Sequence, residues 1–321
     1  MKLLGMHHVS ILTGSAEKNY AFYTKVLGMR LVKKTVNQDN TRSYHLFYGD
    51  AKGSPGTEIT FFDIPGLGRT YEGVSNISST SLRVKTKKSL QFWKQRFEKL
   101  GITHEEIAVR AGRETLAFQD GEGTRLILAA DDGEEGVAAG EPWSTEEVPA
   151  EHSIVGLGPV TLTVANPEPT IGVLIEVLGF RRKGSYPAAD ENRPDILVFE
   201  TGEGGSGAEI HIEPRPDLSP ARLGRGGVHH VAFRVPNSEE YEAWAEKLKD
   251  LRIPNSGKVD RFYFQALYFR EPNNILFELS TDTPGFDADE PMETLGERLS
   301  LPPFLEPSRA KIEAELRPLD I

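Results

Sequence analysis

The residues that could do chemistry and recur in a pattern are histidines, together with one carboxylate. Of eight histidines, four form two doublets, His7-His8 and His229-His230. Their surroundings match: His7-His8-Val9-Ser10-Ile11-Leu12 stands against His229-His230-Val231-Ala232-Phe233-Arg234. A lone strand histidine usually serves as a hydrogen-bonded core or edge residue, but two doublets in matching contexts point to a shared use, and imidazole is a common metal ligand. Two imidazoles on a divalent ion need an anionic third ligand. The run Ile275-Leu276-Phe277-Glu278-Leu279-Ser280 offers one, because a carboxylate among apolar neighbours must find a cation or a metal to be buried. An ion pair of Glu278 with Arg261 or Arg270 is the competing use. Cysteine is absent, so thiol nucleophiles, Cys–zinc sites and iron–sulfur clusters are excluded, and any metal must be held by His, Asp or Glu.

The elements that position these residues repeat. A short apolar strand followed by an amphipathic helix occurs four times, with strands at Met6–Leu12, Ile77–Val84, Leu157–Val164 and Val228–Val235. Taking His8, Ser79, Pro159 and His230 as equivalent gives spacings of 71, 80 and 71 residues. Helices are read from Ala16, Tyr20, Tyr23, Leu27; from Leu90, Trp93, Phe97, Leu100; from about Thr170 to Leu178; and from Tyr241, Trp244, Leu248, Leu251. Three end in Leu-Gly, at Gly28, Gly101 and Gly179, where glycine closes a helix. Further strand-like runs follow each helix, such as Ser43–Tyr48 and Thr57–Phe62, or Phe264–Phe269 and Ile275–Ser280. The unit is βαβββ, and the expected fold class is α+β.

At 321 residues the chain suits one large domain or two ordinary ones. Modules one and two are read over 1–130, an acidic connector over 131–156, modules three and four over 157–285, and a tail without assigned chemistry over 286–321. Lys plus Arg number 37 against 48 Asp plus Glu, and 37 − 48 gives −11. That sign argues against nucleic acid or an anionic membrane as partner. Much of the excess lies in 131–151, which carries eight acidic residues and no Lys or Arg, and is expected to be a solvated linker. Two histidines interrupt the apolar start Met1–Leu12, and no run of 18 apolar residues occurs, so a cytoplasmic protein is expected.

Other constellations carry less. His45, His104 and His152 have no partners at matching module positions. The strand Glu209-Ile210-His211-Ile212-Glu213 is suggestive, yet Ser79 and Pro159 stand where modules two and three would need a ligand histidine. The glycine-rich run 202–207 lacks the Lys-Ser/Thr of a phosphate loop and reads as a hairpin.

The chain resembles the vicinal oxygen chelate superfamily of glyoxalases, bleomycin-resistance proteins and extradiol dioxygenases, built from βαβββ modules that form two open barrels. Within it the chain is most similar to the ring-cleaving dioxygenases that open hydroquinones. The motifs are His7-His8-Val9-Ser10, Gly53-Ser54-Pro55-Gly56-Thr57, Val228-His229-His230-Val231-Ala232-Phe233, Arg261-Phe262-Tyr263-Phe264 and Tyr268 through Glu278. The resemblance implies His8, His230 and Glu278 as ligands of Fe(II), with Mn, Zn or Ni as substitutes. It also implies an outer set of His7, Ser10, His229, Arg261 and Tyr268. Two histidines and a carboxylate with open positions is indeed the arrangement of oxygen-activating non-haem iron. Strict strand alternation keeps Ser10 on the face of His8 but turns His7 and His229 away, unless the strand twists or bulges. Tyr268 and Arg261 retain bland readings, a core phenol and a structural ion pair.

The function so implied is an Fe(II)-dependent dioxygenase inserting O2 into a hydroquinone, with catechols second; its partners are a small aromatic substrate and O2, and a homo-oligomer is compatible with it. Two other classes remain. A glyoxalase-like isomerase wants a second acid from module one, but counting from the turns lands on Phe61. A non-catalytic binder of an aromatic compound needs no His–His–Glu set. The ligand distribution also predicts how modules pair. Only pairing one with four brings His8, His230 and Glu278 to one ion, leaving two with three as a metal-free barrel.

Overall fold

The computed structural model describes residues 1–319 and 321. Module one contains β1 (Met6–Thr13), α1 (Ala16–Tyr20), β2 (Arg30–Asn37), β3 (Asn40–Gly49) and β4 (Glu58–Asp63). Module two contains β5 (Asn76–Val84), α2 (Lys87–Leu100), β6 (Ala108–Arg110), β7 (Arg113–Gln119) and β8 (Arg125–Ala130). Module three contains β9 (Ile154–Val164), α3 (Glu168–Gly172), β10 (Arg181–Tyr186), β11 (Ile196–Glu200) and β12 (Glu209–Pro214). Module four contains β13 (Val228–Val235), α4 (Ser238–Asp250), β14 (Val259–Asp260), β15 (Phe264–Arg270) and β16 (Leu276–Pro284).

The helices follow from their apolar stripes and caps. Helix α2 buries Leu90, Trp93 and Phe97 and closes on Gly101 at φ +67°, while α4 starts at an Asn237 cap and buries Tyr241, Trp244 and Leu248. In modules one and three the helix is not regular throughout. Both α1 and α3 open into a wider π-helical turn, over Ala21–Val26 and Val173–Val177, with Leu27 donating to the Phe22 carbonyl and Leu178 to the Val173 carbonyl at 3.0 Å. The wider turn leaves Tyr23 fully buried against Tyr48 and Phe61.

Two eight-stranded curled sheets result, in the orders β14-β15-β16-β13-β1-β4-β3-β2 and β10-β11-β12-β9-β5-β8-β7-β6. In every module the first strand pairs in parallel with the last, and modules join through antiparallel pairing of first strands, β1 with β13 and β5 with β9. One therefore pairs with four, and two with three, as the ligand distribution required. The segments between modules one and two and between three and four run side by side, with Tyr71 and Arg222 exchanging backbone hydrogen bonds at 2.9 Å.

One expectation needs correction, and the tail proves to be packed. The acidic segment after β8 is partly tied down: Asp131 binds Arg83 at 2.9 Å, Glu134 binds Arg113 at 2.6 Å, and Val148 is fully buried. Asp131 and Glu134 answer cations on the second barrel and Glu141 answers Lys52 of module one, so the segment is more than a solvated linker. The tail folds back on module one. Fully buried Lys33 binds Asp289 at 2.7 Å and also Glu290, Arg30 binds the Met292 carbonyl at 2.7 Å, and α5 (Arg309–Glu315) buries Ile312. No helix among the described residues is long and apolar enough to cross a membrane.

Candidate active site

The β1–β13 seam carries both histidine doublets, and both strands bulge there. From Met6 to Val9 on β1 the partner advances only from Phe233 to Val231; from Ser10 to Ile11 it advances from His230 to Val228. Each strand thus carries one extra residue at its doublet. A bulge breaks the two-residue alternation, so neighbouring side chains can share a face. This is why His7 and His229 do not turn away: His7 Nδ1 lies 2.9 Å from His8 Nδ1, and His229 Nδ1 lies 2.8 Å from His230 Nδ1.

The three candidate ligands converge. Nε2 of His8 and Nε2 of His230 are 3.2 Å apart, and Glu278 Oε2 lies 3.2 and 2.8 Å from them. Bonds of about 2.0–2.2 Å at near right angles set neighbouring ligand atoms about 3 Å apart, so this triangle fits one face of a divalent ion's coordination shell. The donors are also free for it. Ser280 Oγ donates to Glu278 Oε1 at 2.7 Å, whereas buried Oε2 has no well-directed donor despite the two nearby nitrogens. Burial alone would push the Glu278 carboxyl up, but His8 and His230 outweigh it and hold it well below the usual carboxylate range. Neither alternative ion pair forms: Arg261 binds Asp39, and Arg270 donates to the Asn274 carbonyl.

The outer histidines set tautomers. Burial, then the neighbouring His8, lowers His7 to about 3, and burial, then His230, lowers His229 to about 4, so both are neutral near pH 7. His7 Nε2 donates to the Thr281 carbonyl at 3.0 Å, which leaves Nδ1 as an acceptor for His8 Nδ1–H. The lone pair of His8 is then on Nε2, facing Glu278. His229 and His230 share the same Nδ1···Nδ1 contact; were His230 to keep its Nε2 lone pair for a metal, its Nδ1–H would donate to His229, whose Nε2–H would then face the cavity.

That cavity, of about 440 Å³, is lined by His8, His229 and His230, by His45, Arg261 and Tyr268, and by an apolar wall including Phe47, Phe62, Phe264 and Leu276. Cross-strand pairing puts Tyr268 opposite Glu278. Its phenol is pushed up by burial and by the Glu278 charge, and accepts from Arg261 Nε at 3.3 Å. Burial opposes the Arg261 charge, but its bond to Asp39 leads the contacts that raise it. His7 and Ser10 are buried and do not line the cavity; Ser10 Oγ bonds Thr60 Oγ1 at 2.8 Å.

Two readings change. The module-one counterpart of Glu278 is Thr60, not Phe61: Ser10 pairs with Thr60 as Ala232 pairs with Glu278. Counting from the turns fails because the two loops differ in length, yet no acid stands there on either count. His45, set aside for want of a partner, lines the cavity, with Nε2 on Thr60 Oγ1 at 2.9 Å. Only its place in β3, alternating with Phe47, could have signalled it. In the second barrel His211 occupies the Glu278 position, pairing with Thr161, but Ser79 and Pro159 stand where the two histidines would, and His211 bonds Glu209 and Tyr186 at 3.0 and 3.1 Å instead.

Residues 5–128 and 156–279 each match the Glyoxalase/Bleomycin resistance protein/Dioxygenase superfamily. The chain belongs to that superfamily. Within it, the chain is 52% identical over 319 residues, covering 99% of itself and 100% of the relative, to MhqA of Bacillus subtilis, provisionally named a ring-cleaving dioxygenase. It is 32% identical to the chlorohydroquinone/hydroquinone 1,2-dioxygenase of Sphingobium indicum, over 94% of this chain and 92% of that one. A crystal structure of a protein from Bacillus subtilis, provisionally described as a dioxygenase, superposes with a TM-score of 0.90 at 35% identity, covering 99% of this chain and 98% of that one.

Proposed function

We propose that the chain is a ring-cleaving dioxygenase that holds Fe(II) on His8, His230 and Glu278 and acts on a hydroquinone-type ring, with catechols second. The observation that carries the reading is the triangle of ligand atoms, 2.8 to 3.2 Å apart, at the base of an aromatic-lined cavity. The names of the relatives support the same reaction class. What bound Fe(II) supplies is one-electron chemistry with O2 beside an ionised ring hydroxyl.

The remaining work falls to side chains. Phe47, Phe62 and Phe264 offer flat apolar walls to a ring and keep water from it. His229 and the Tyr268 hydroxyl, both neutral near pH 7, line the cavity and would donate to a ring oxygen as it gathers negative charge. Arg261 beside Tyr268 stabilises that charge further. Thr60 in place of a second acid removes the ligand that a glyoxalase-like isomerase would use.

Anaerobic reconstitution with Fe(II), followed by oxygen uptake with hydroquinone, methylhydroquinone and catechol, tests the reading. Uptake with a hydroquinone and a ring-opened product is expected. Iron-loaded protein that consumes no oxygen with any of the three overturns it.

A further inference from the structure

The mouth of the cavity and the Tyr268 phenol are connected by side chains from opposite ends of the chain. The turn between β2 and β3 reaches over the cavity, which Asn37, Gln38 and Asp39 line at its rim. Asp39 is the exposed member of the lining, its side chain 73% accessible, while the others are buried or half-buried. Gln38 Nε2 donates to the Arg261 carbonyl at 2.8 Å. Asp39 grips the Arg261 guanidinium with both oxygens, at 3.2 and 2.9 Å. The remaining guanidinium edge, Nε, points to the Tyr268 hydroxyl at 3.3 Å, with the guanidinium carbon 5.5 Å from the Tyr268 ring centroid.

We propose that the hairpin tip Asn37–Asn40 is a lid over the cavity and that Asp39 latches it. Closed, the latch makes Asp39 a positioning residue that aims Arg261 Nε at the Tyr268 phenol. A free guanidinium samples many rotamers, but one held by a bidentate carboxylate has its Nε edge fixed in direction. An exposed ion pair is also weak and salt-screened, so a latch built on one opens readily for a substrate to pass. The latch spans module one and module four, so closing the lid and setting the phenol are one event. The phenol's part in turnover rests on the ring-cleavage reading; the lid does not.

The test uses Asp39→Ala, Asp39→Glu, and Asp39→Ala combined with Tyr268→Phe, with hydrogen exchange measured on the full metal-free chain. Exchange in 36–41 should quicken about fivefold or more in Asp39→Ala, stay unchanged in β13, and be largely restored in Asp39→Glu. With hydroquinone and iron-loaded protein, kcat should fall about tenfold in Asp39→Ala, recover in Asp39→Glu, and change less than about twofold when Tyr268 is already Phe. Unchanged exchange in 36–41 overturns the lid. An unchanged kcat, or an equal loss in the Tyr268→Phe background, overturns the positioning role. Should the parent chain turn over no aromatic substrate, the ring-cleavage reading falls while the exchange measurement still decides the latch.

Discussion

Glu278 and Tyr268 face each other across two strands, yet the site asks different things of them. Glu278 Oε2 is a buried anion answered by two imidazole nitrogens and no directed donor. Glu278→Gln keeps the volume and removes the charge, so iron affinity should drop by about tenfold or more while the fold survives. Competition with a chelator reads the loss, and normal iron binding would remove Glu278 from the ligand set. Tyr268 packs edge-on against the His230 ring, 5.8 Å between centroids, and its hydroxyl accepts from Arg261 in the cavity wall, but it is not one of the three ligand groups. Tyr268→Phe should therefore leave iron content unchanged and lower turnover by about 10²-fold, the scale of a lost proton donor. Unaltered turnover would return the ring to a packing role.

At the scale of elements, the paired bulges in β1 and β13 bring four imidazoles to one place. The β1 bulge is braced by Gly56, whose N–H donates to the His7 carbonyl at 2.8 Å and whose carbonyl accepts from Leu157. Gly56 holds φ +93°, and a Cβ there would sit 3.0 Å from the Met6 carbonyl oxygen. Gly66, at φ +80° with nothing near its Cβ direction, isolates the backbone strain alone. Gly66→Ala should cost about 1 kcal/mol of stability and leave iron affinity untouched, whereas Gly56→Ala should cost about 1–3 kcal/mol and weaken iron binding by displacing His7 and His8. Thermal melts of the metal-free forms and chelator competition read the two effects; equal iron affinities would show that Gly56 does not hold the bulge.

Across the whole molecule the three candidate ligands all lie in the barrel of modules one and four. The second barrel carries Glu209 where charges cluster: its carboxyl binds Arg113 at 2.6 Å, Lys183 at 2.7 Å and His211 at 3.0 Å. Burial would raise Glu209, but His211, Arg113 and Lys183 together hold it far below the usual glutamate range. A depressed folded value means the carboxylate contributes stability above the unfolded value and loses it as pH falls. Glu209→Gln should thus destabilise the metal-free chain by about 3–5 kcal/mol near pH 7, a deficit that shrinks below about pH 4. Denaturant melts across that range read it, and iron affinity per folded molecule should not change, since this barrel holds none of the three proposed ligands. A deficit independent of pH would show that the carboxylate charge is not what the network uses. The tail contributes to the working barrel instead. Asp289 accepts from the Tyr263 hydroxyl at 2.9 Å, and Phe286 packs on Phe47, so it buttresses two walls of the cavity.

The sequence alone determined what periodicity and residue type can carry. Four βαβββ units followed from spacings of 71, 80 and 71 residues, and the pairing of one with four followed from where His8, His230 and Glu278 stand against Ser79 and Pro159. Apolar stripes placed the helices, because burial needs only a repeating face. What it left open depended on register and on contacts between distant segments. A bulge has no residue signature here, so the side taken by His7 and His229 was undecided until Met6 paired with Phe233 and Val9 with Val231. Thr60 as the counterpart of Glu278 depended on loop length, which counting from a turn does not measure. His45 and Asp39 gained their places from a hairpin folding over a cavity whose facing wall, at His229, Arg261 and Tyr268, lies more than 150 residues away in the chain. Local pattern records which face of an element is apolar; only packing decides which elements meet, and a site between modules is made of such meetings.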